Sequence, residues 1–371
     1  MKFLHTADWQ IGMKAKHARH RADAIRAQRL QTIRRIVEIA NERCVDFVII
    51  AGDQFEDSAP ALNDIATVVA TLRLATMPVF VLPGNHDPAR VDSPYSATSW
   101  MQLEVSRVTT VRVPSFFEVP GGVLLASPCE KRYSIQDPTA VFRDMPSADG
   151  AIRVGCAHGT LQIGPIPAYD EGDQRGGYPI ATDAASRAGL AYLGLGHWHS
   201  YLEFVDAGAL IAYSGTPEAT SYSDSNCGTV SIVEINGPGA TPRIERVPVG
   251  QLSWHEERFE ISDDESLRAA VAKLQAIADP KHAVVKARFR GVLSPRQLEV
   301  AAVESASFEQ SFFSYEKIDE LEPRPENAQA WRTAFDTALA SEVASELADL
   351  LSGENAAIAL RALARLREVS R

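Results

Sequence analysis

The chain holds 371 residues, 45% hydrophobic and 23% charged, with a formal net charge of −11. This composition belongs to an ordinary soluble globular protein that buries a full core without staples, and the length suits more than one domain or one large domain with an appendage. The acidic balance argues against a protein that coats nucleic acid by bulk electrostatics.

Taken in chain order, the first elements alternate between strand and helix. An apolar strand over residues 2–7 runs straight from Met1 into Asp8, with no signal-peptide pattern in it. Between Lys14 and Arg35 stand Lys14, Lys16, Arg19, Arg21, Arg26, Arg29, Arg34 and Arg35 against the single acid Asp23. This basic stretch reads as a surface beside a site, or as the solvated face of an amphipathic helix over residues 22–42 with Ile25, Leu30, Ile33 and Val37 inward; the two readings are compatible. A strand at 46–51 ends in Gly52-Asp53, a helix follows at 61–75, and the strand Val79-Phe80-Val81-Leu82 delivers Gly84-Asn85-His86-Asp87. The βαβαβ order predicts a largely parallel sheet with right-handed crossovers.

Strands and turns fill the next stretch, with apolar runs at 108–113, 116–119, 123–127, 152–157, 191–195, 201–205, 209–214, 229–235 and 243–247. Hairpin signals such as Asp206-Ala207-Gly208 and Asn236-Gly237 separate them. His158 follows the run at 152–157, and His197 and His199 follow that at 191–195. The sum is a two-sheet α/β sandwich with helices outside. Around Val249-Gly250 the pattern changes to a small βαβαβ unit: strand 254–260, a helix capped by Ser262-Asp263-Asp264-Glu265, strand 283–290, a helix from Pro295 and strand 312–317. Beyond Pro323-Arg324-Pro325, helices are expected at about 327–351 and 354–369, with Ala/Leu faces that suit a partner helix or their own chain. The expected divisions are residues 1–250, 251–322 and 323–371.

The four cysteines, Cys44, Cys129, Cys156 and Cys227, show no C-x-x-C pairing, and three lie in or beside apolar runs. Buried reduced thiols are expected rather than zinc ligands or disulfides, hence a reducing, cytoplasmic compartment. No apolar run approaches the ~20 residues of a membrane span.

Five strands thus carry Asp8, Asp53, Asn85-His86-Asp87, His158 and His197 with His199 at their carboxyl ends. That edge is where layered α/β folds gather loops and build sites. Carboxylates, imidazoles and an amide oxygen presented together are the chemistry of a metal-assisted phosphoryl site. Trp198 and Phe55, adjacent to these residues, read as site wall or as platforms for a base. His5 reads as an interior strand histidine, and His17, His20, His255 and His282 as surface groups.

In this order, Asp8, Gly52-Asp53, Gly84-Asn85-His86-Asp87, His158 and Gly196-His197-Trp198-His199 resemble the motifs of the calcineurin-like metallophosphoesterases. His5-Thr6-Ala7-Asp8-Trp9, Ala51-Gly52-Asp53-Gln54-Phe55 and Tyr213-Ser214-Gly215-Thr216-Pro217-Glu218 look more narrowly like the bacterial SbcD and YhaO branch of DNA repair nucleases. The resemblance implies a four-layer metallophosphoesterase sandwich, two mixed β-sheets flanked by helices, with a small C-terminal α/β capping domain and terminal helices. It implies a Mn²⁺-dependent DNA exo- or endonuclease acting in repair by a two-metal mechanism; a phosphodiesterase or phosphatase for small substrates, and a non-catalytic scaffold, are the alternatives.

One motif departs from the family: its usual Asp-x-His is here Asp8-Trp9-Gln10. Carried over residue by residue, the resemblance has Asp8, Asp53 and His199 hold one metal, with Gln10 in the slot of the missing histidine. Asn85, His158, His197 and the shared Asp53 hold the other. The cofactor implied is two Mn²⁺ ions, with Mg²⁺ as substitute; His86 is the implied general acid, with Asp87 orienting its ring. Implied partners are DNA, as single strand or duplex end, an SMC-like coiled-coil ATPase on the terminal helices, and a second copy of the chain through helices near the Asn85 loop. The implied location is the bacterial nucleoid, with no membrane.

Overall fold

The structure, a computed structural model, describes residues 1–15, 18, 21–104, 107–146, 150–164, 177–325 and 328–370. Lys16, His17, Arg19 and His20 of the basic stretch lie outside the described residues. The chain divides into two compact units, Met1–Leu252 and Ser253–Arg371.

The first unit opens with β1 (Lys2–Thr6), α1 (Ala22–Glu42), β2 (Phe47–Ala51), α2 (Leu62–Leu72), β3 (Val79–Leu82), α3 (Thr98–Leu103) and β4 (Val108–Thr110). It continues through β5 (Ser115–Val119), β6 (Gly122–Ser127), β7 (Ile152–His158), β8 (Thr160–Leu161), β9 (Pro179–Ile180), α4 (Ala184–Arg187) and β10 (Tyr192–Gly196). The strands β11 (Leu202–Asp206), β12 (Ala209–Tyr213), β13 (Thr229–Glu234) and β14 (Arg243–Pro248) complete it. One sheet has the order β14-β13-β1-β2-β3-β4, the other β11-β12-β10-β7-β6-β5. β1 to β4 are parallel, as are β6, β7, β10 and β12. Antiparallel strands flank both parallel sets, so the sheets are mixed.

Side-chain alternation builds the layers. Leu4, Val48, Ile50, Val79 and Val81 turn toward Ile33, Ile36 and Val68 of the helices. Phe3, Phe47, Ile49 and Phe80 turn toward Leu124, Val154, Tyr192 and Ala212 of the second sheet. Phe3 and Phe47 stack at 4.9 Å between ring centroids. The outer face of the second sheet, with Leu125, Leu193 and Ile211, packs on Ala184 and Ala185 of α4. Helices, sheet, sheet and helix follow one another, and strands buried on both faces explain why their runs are continuously apolar. At the β11–β12 hairpin both Ala207 (φ 48°) and Gly208 (φ 95°) have positive φ, as a type I′ turn requires.

The second unit holds β15 (Ser253–Ile261), α5 (Asp264–Gln275), β16 (Ala283–Leu293), α6 (Pro295–Ser311) and β17 (Ser314–Pro323). Its three strands are parallel, with β16 central. Asp263 and Ser266 form a capping box at α5, and Ser294 and Gln297 another at α6, each satisfying amides that a helix start leaves open. The helix expected over 327–351 is broken into α7 (Ala328–Arg332) and α8 (Ala338–Asp349); Thr337 Oγ1 accepts the Ala340 amide at 3.3 Å and starts a new helix there. α9 (Ala356–Val369) follows, and Leu363 packs with Trp331 and Ala344. Cys129 and Cys156 are buried thiols, while Cys44 is exposed, against the expectation of burial. Among the described residues no helix is long and apolar enough to cross a membrane.

Candidate active site

The carboxyl ends of β1, β2, β3, β7 and β10 meet at one rim. Beyond their strands the first two loops stay zipped together: Asp8 N donates to Gly52 O at 3.0 Å, Gln10 N to Asp53 O at 3.0 Å and Ile11 N to Gln54 O at 2.9 Å. Asp8 (φ 54°), Gln10 (φ 48°), Asp53 (φ 54°) and His197 (φ 102°) all have left-handed backbone, which non-glycine residues adopt only where surroundings enforce it. Gly84 has no room for a side chain, since a Cβ there would lie 2.1 Å from Asp53 Oδ1.

These constraints press the polar groups onto one another. Asp53 Oδ1 accepts the His86 amide at 2.9 Å, while its Oδ2 accepts Gln10 Nε2 at 3.2 Å and lies 3.4 Å from His158 Nε2. Asn85 Oδ1 lies 2.8 Å from His158 Nε2 and 3.0 Å from His197 Nδ1. The Asp8 carboxylate accepts the His197 amide at 2.9 and 3.1 Å. Asp8, Asp53 and His158, all buried, offer ligand atoms within 4.8 Å of one another. His199 stands outside that trio but within electrostatic reach of Asp8 and Asp53.

Three imidazoles have their tautomer set by an acceptor at Nδ1. His158 Nδ1–H donates to Ala51 O at 2.8 Å, and His86 Nδ1–H to Glu56 O at 2.8 Å. The Thr220 hydroxyl gives its proton to Asp224, so His199 Nδ1–H donates to Thr220 Oγ1 at 3.0 Å. In each ring Nε2 is left for coordination or proton transfer.

Burial raises the Asp8 carboxyl to about 6. Burial also opposes ionisation of Asp53, but the imidazoles of His158 and His86 outweigh it and hold that carboxyl well below the usual range. His158 is the converse case: desolvation lowers it, the Asp53 charge more than compensates, and its pKa rises to about 9. Desolvation, then the His158 charge, pushes His197 down to about 3. A proton on His158 Nε2 therefore stands where a cation would be held, between Asp53 and Asn85.

The residues fit a divalent cation. Gln10 Oε1 is buried with no hydrogen-bond partner, a costly state for an amide oxygen unless an ion satisfies it. The donors are carboxylate, amide and imidazole, a set that suits Mn²⁺ or Mg²⁺ rather than a structural zinc. Cys129 does not join them; its thiol points to the His158 carbonyl at 3.6 Å and burial raises its pKa well above the usual value.

Asp87 corrects the expectation placed on it. It does not bond the His86 ring, which Glu56 holds; its carboxylate accepts Gly84 N at 2.8 Å, Phe55 N at 3.0 Å and Tyr95 Oη at 2.6 Å. Asp87 ties the Asn85 loop to the Asp53 loop and is remote from proton transfer. Phe55 is fully buried, hence wall, whereas Trp198 is 47% exposed. His5 is interior, 2.8 Å from Tyr192 Oη.

Arg29 is the residue that the sequence reading missed. Expected on a charged face, it is buried and donates to Trp9 O at 2.9 Å, Glu218 O at 2.9 Å and Ala219 O at 2.7 Å. Thr216 completes the clamp, its hydroxyl donating to Asp8 O at 2.8 Å and its amide to His199 O at 2.9 Å. The signal was available: Arg29 shares a helix face with Ile25 and Ile33, one turn to either side. Arg26, Arg34 and Arg35 pair with Asp23, Glu38 and Glu42, which consumes much of the basic stretch within the chain.

The profile of the calcineurin-like phosphoesterases matches residues 1–207. The chain is 24% identical to the DNA double-strand break repair protein Mre11 of Methanosarcina mazei over 64% of its own length and 37% of that protein's. It is 28% identical to SbcD, the second component of the SbcCD nuclease of Bacillus subtilis, over 64% of its length and 67% of the relative's. To the uncharacterized metallophosphoesterase YhaO of the same organism it is 21% identical over 72% and 66%. The similarity thus spans little more than a third of the Mre11 protein and about two thirds of the other two. With the profile covering more than half of its residues and every motif of the rim inside that stretch, the chain belongs to the calcineurin-like phosphoesterase family, on the branch of SbcD and YhaO.

Proposed function

We propose that the chain is a Mn²⁺-dependent DNA phosphodiesterase acting in repair. The observation that carries the reading is the packing of Gln10, Asn85 and His158 around the one carboxylate of Asp53, with the Gln10 amide oxygen left buried and unsatisfied. Asp8, Gln10 and His199 would hold one cation, Asn85, His158 and His197 a second, and Asp53 would be shared. A bound pair of such ions supplies an acidified water and charge stabilisation on a phosphate. The chain's own part is to keep Asp53 ionised, to orient His158 and His199 through their Nδ1 acceptors, and to deliver a proton at His86. With its Nδ1–H fixed on Glu56 O, the His86 ring gives and takes a proton at Nε2, the arrangement required of a general acid toward a leaving oxygen.

Similarity to Mre11 and SbcD supports DNA as substrate over a small phosphoester. That SbcD is named as one part of a larger nuclease supports a partner protein, for which we infer an SMC-like ATPase, and a second copy of the chain at the Asn85 side. The test offers the Mn²⁺-loaded protein single-stranded, hairpin and duplex DNA beside bis-p-nitrophenyl phosphate. Cleavage of at least one DNA, abolished by EDTA, is expected. Hydrolysis of the small ester with every DNA intact would sink the nuclease reading, and silence on both would leave a scaffold.

A further inference from the structure

Trp198 lies between two residues of the candidate metal site, and its surroundings set it apart from the other tryptophans. Trp9, Trp100 and Trp331 are fully buried and Trp254 is half-buried, whereas Trp198 is 47% exposed. An indole left this far in water forgoes much of the ~1.5 to 3 kcal/mol that burying a large apolar side chain contributes. Its neighbours explain why it faces outward: His197 and His199 are committed to the inside of the rim.

The backbone on both sides of the indole is pinned. His197 N is held by the Asp8 carboxylate at 2.9 Å, His199 O accepts Thr216 N at 2.9 Å, and Tyr201 N donates to Asn226 O at 2.9 Å. The ring is therefore mounted on fixed main chain beside the site, and a partner that covers it loses little backbone freedom in doing so. A wall residue would be buried as Phe55 is.

We propose that Trp198 is a stacking platform for an unpaired nucleobase next to the phosphodiester, so that the site takes single-stranded or frayed nucleic acid. This rests on the nuclease reading above. A base presents a flat π-face whatever its identity, and aromatic stacking of this kind is sequence-tolerant. The inference therefore predicts a demand for a base, without a demand for a particular one.

The test compares a thymidine oligonucleotide with an oligonucleotide of the same length whose residues around the cut are abasic, using the full chain with Mn²⁺. Wild type is expected to favour the thymidine strand by roughly tenfold or more, chiefly through KM, the range expected of one stacked base. W198A should erase that preference and W198F should keep most of it. Oligonucleotide binding should quench tryptophan emission in wild type and leave W198F emission unchanged. Equal preference in wild type and W198A, or none in wild type, overturns the platform while leaving the nuclease reading intact. A wild type that turns over bis-p-nitrophenyl phosphate but neither cuts nor binds the strand overturns both.

Discussion

Both units bring parallel strands to a polar carboxyl edge, and the two edges treat their charges in opposite ways. In the second unit Glu260, Arg290, Glu320 and Glu322 stand near the strand ends, and α9 brings Arg361, Arg365 and Arg367 to a crevice of about 290 Å³. Opposite charges meet directly there: Arg367 reaches Glu322 at 2.7 Å, Arg288 reaches Glu320 at 2.6 Å and Arg361 reaches Asp263 at 3.4 Å. In the first unit the carboxylates are sunk among imidazoles and amides, with an orphaned oxygen on Gln10. Parallel topology supplies an edge in either case. What makes one of them a candidate for chemistry is buried charge that the chain's own groups leave incompletely matched.

Four substitutions bear on this contrast. The largest effect is expected from His86→Ala, which should lower kcat by about 10²- to 10⁴-fold. Calorimetric Mn²⁺ binding should persist, because His86 is assigned the proton and no ion; lost binding would move it into the ligand set. Next come two glycines whose added Cβ would strike a neighbour: Gly84→Ala, 2.1 Å from Asp53 Oδ1, and Gly291→Ala, 1.8 Å from Ile261 O. Each overpacking should destabilise by about 1 to 3 kcal/mol in denaturant titration. Only Gly84→Ala is expected to weaken Mn²⁺ binding, and the contrast fails if Gly291→Ala weakens it equally.

A smaller effect is expected from Gln10→His, where imidazole replaces an amide oxygen. The Mn²⁺ concentration for half-maximal turnover should fall by roughly tenfold, the low end of changes made around metal ligands. An unchanged requirement would make residue 10 a bystander. Smallest of all is Arg367→Gln in the second unit, which should cost no more than about 1 kcal/mol of stability. Turnover should not respond, and a clear drop would show that the paired edge serves the reaction too.

Much of the fold was legible because short apolar runs ended in chemically distinctive residues. Strand ends could be read from Asp8, Asp53 and Asn85 alone, and the small unit from its capping residues around Asp263 and Pro295. What escaped was non-local or too short to carry a period. The six-residue α3 holds a buried Trp100 but offers under two turns of pattern. The helix restart at Thr337 was hidden because threonine is tolerated inside helices as well as at their caps. Arg29 was taken for a solvated charge because its acceptors lie about 190 residues away, on a loop whose return to α1 no local pattern announces. Asp87 was assigned to its neighbour His86, but in an irregular loop adjacent side chains part company, and the two turned to different strands' loops.

The Arg29 clamp also sets when the site can come into being. Its helix leaves the ribosome early, yet the carbonyls it binds belong to residues 218 and 219, a separation of 189 and 190 positions. At ordinary synthesis rates those residues emerge roughly ten to forty seconds later. Until then the Asp8 loop lacks the Thr216 hydroxyl that holds it, and His197 and His199 arrive only shortly before. A nascent or truncated chain that stops short of residue 219 therefore has no assembled ligand set, so a phosphoester-cutting centre is withheld until most of the first unit exists to contain it.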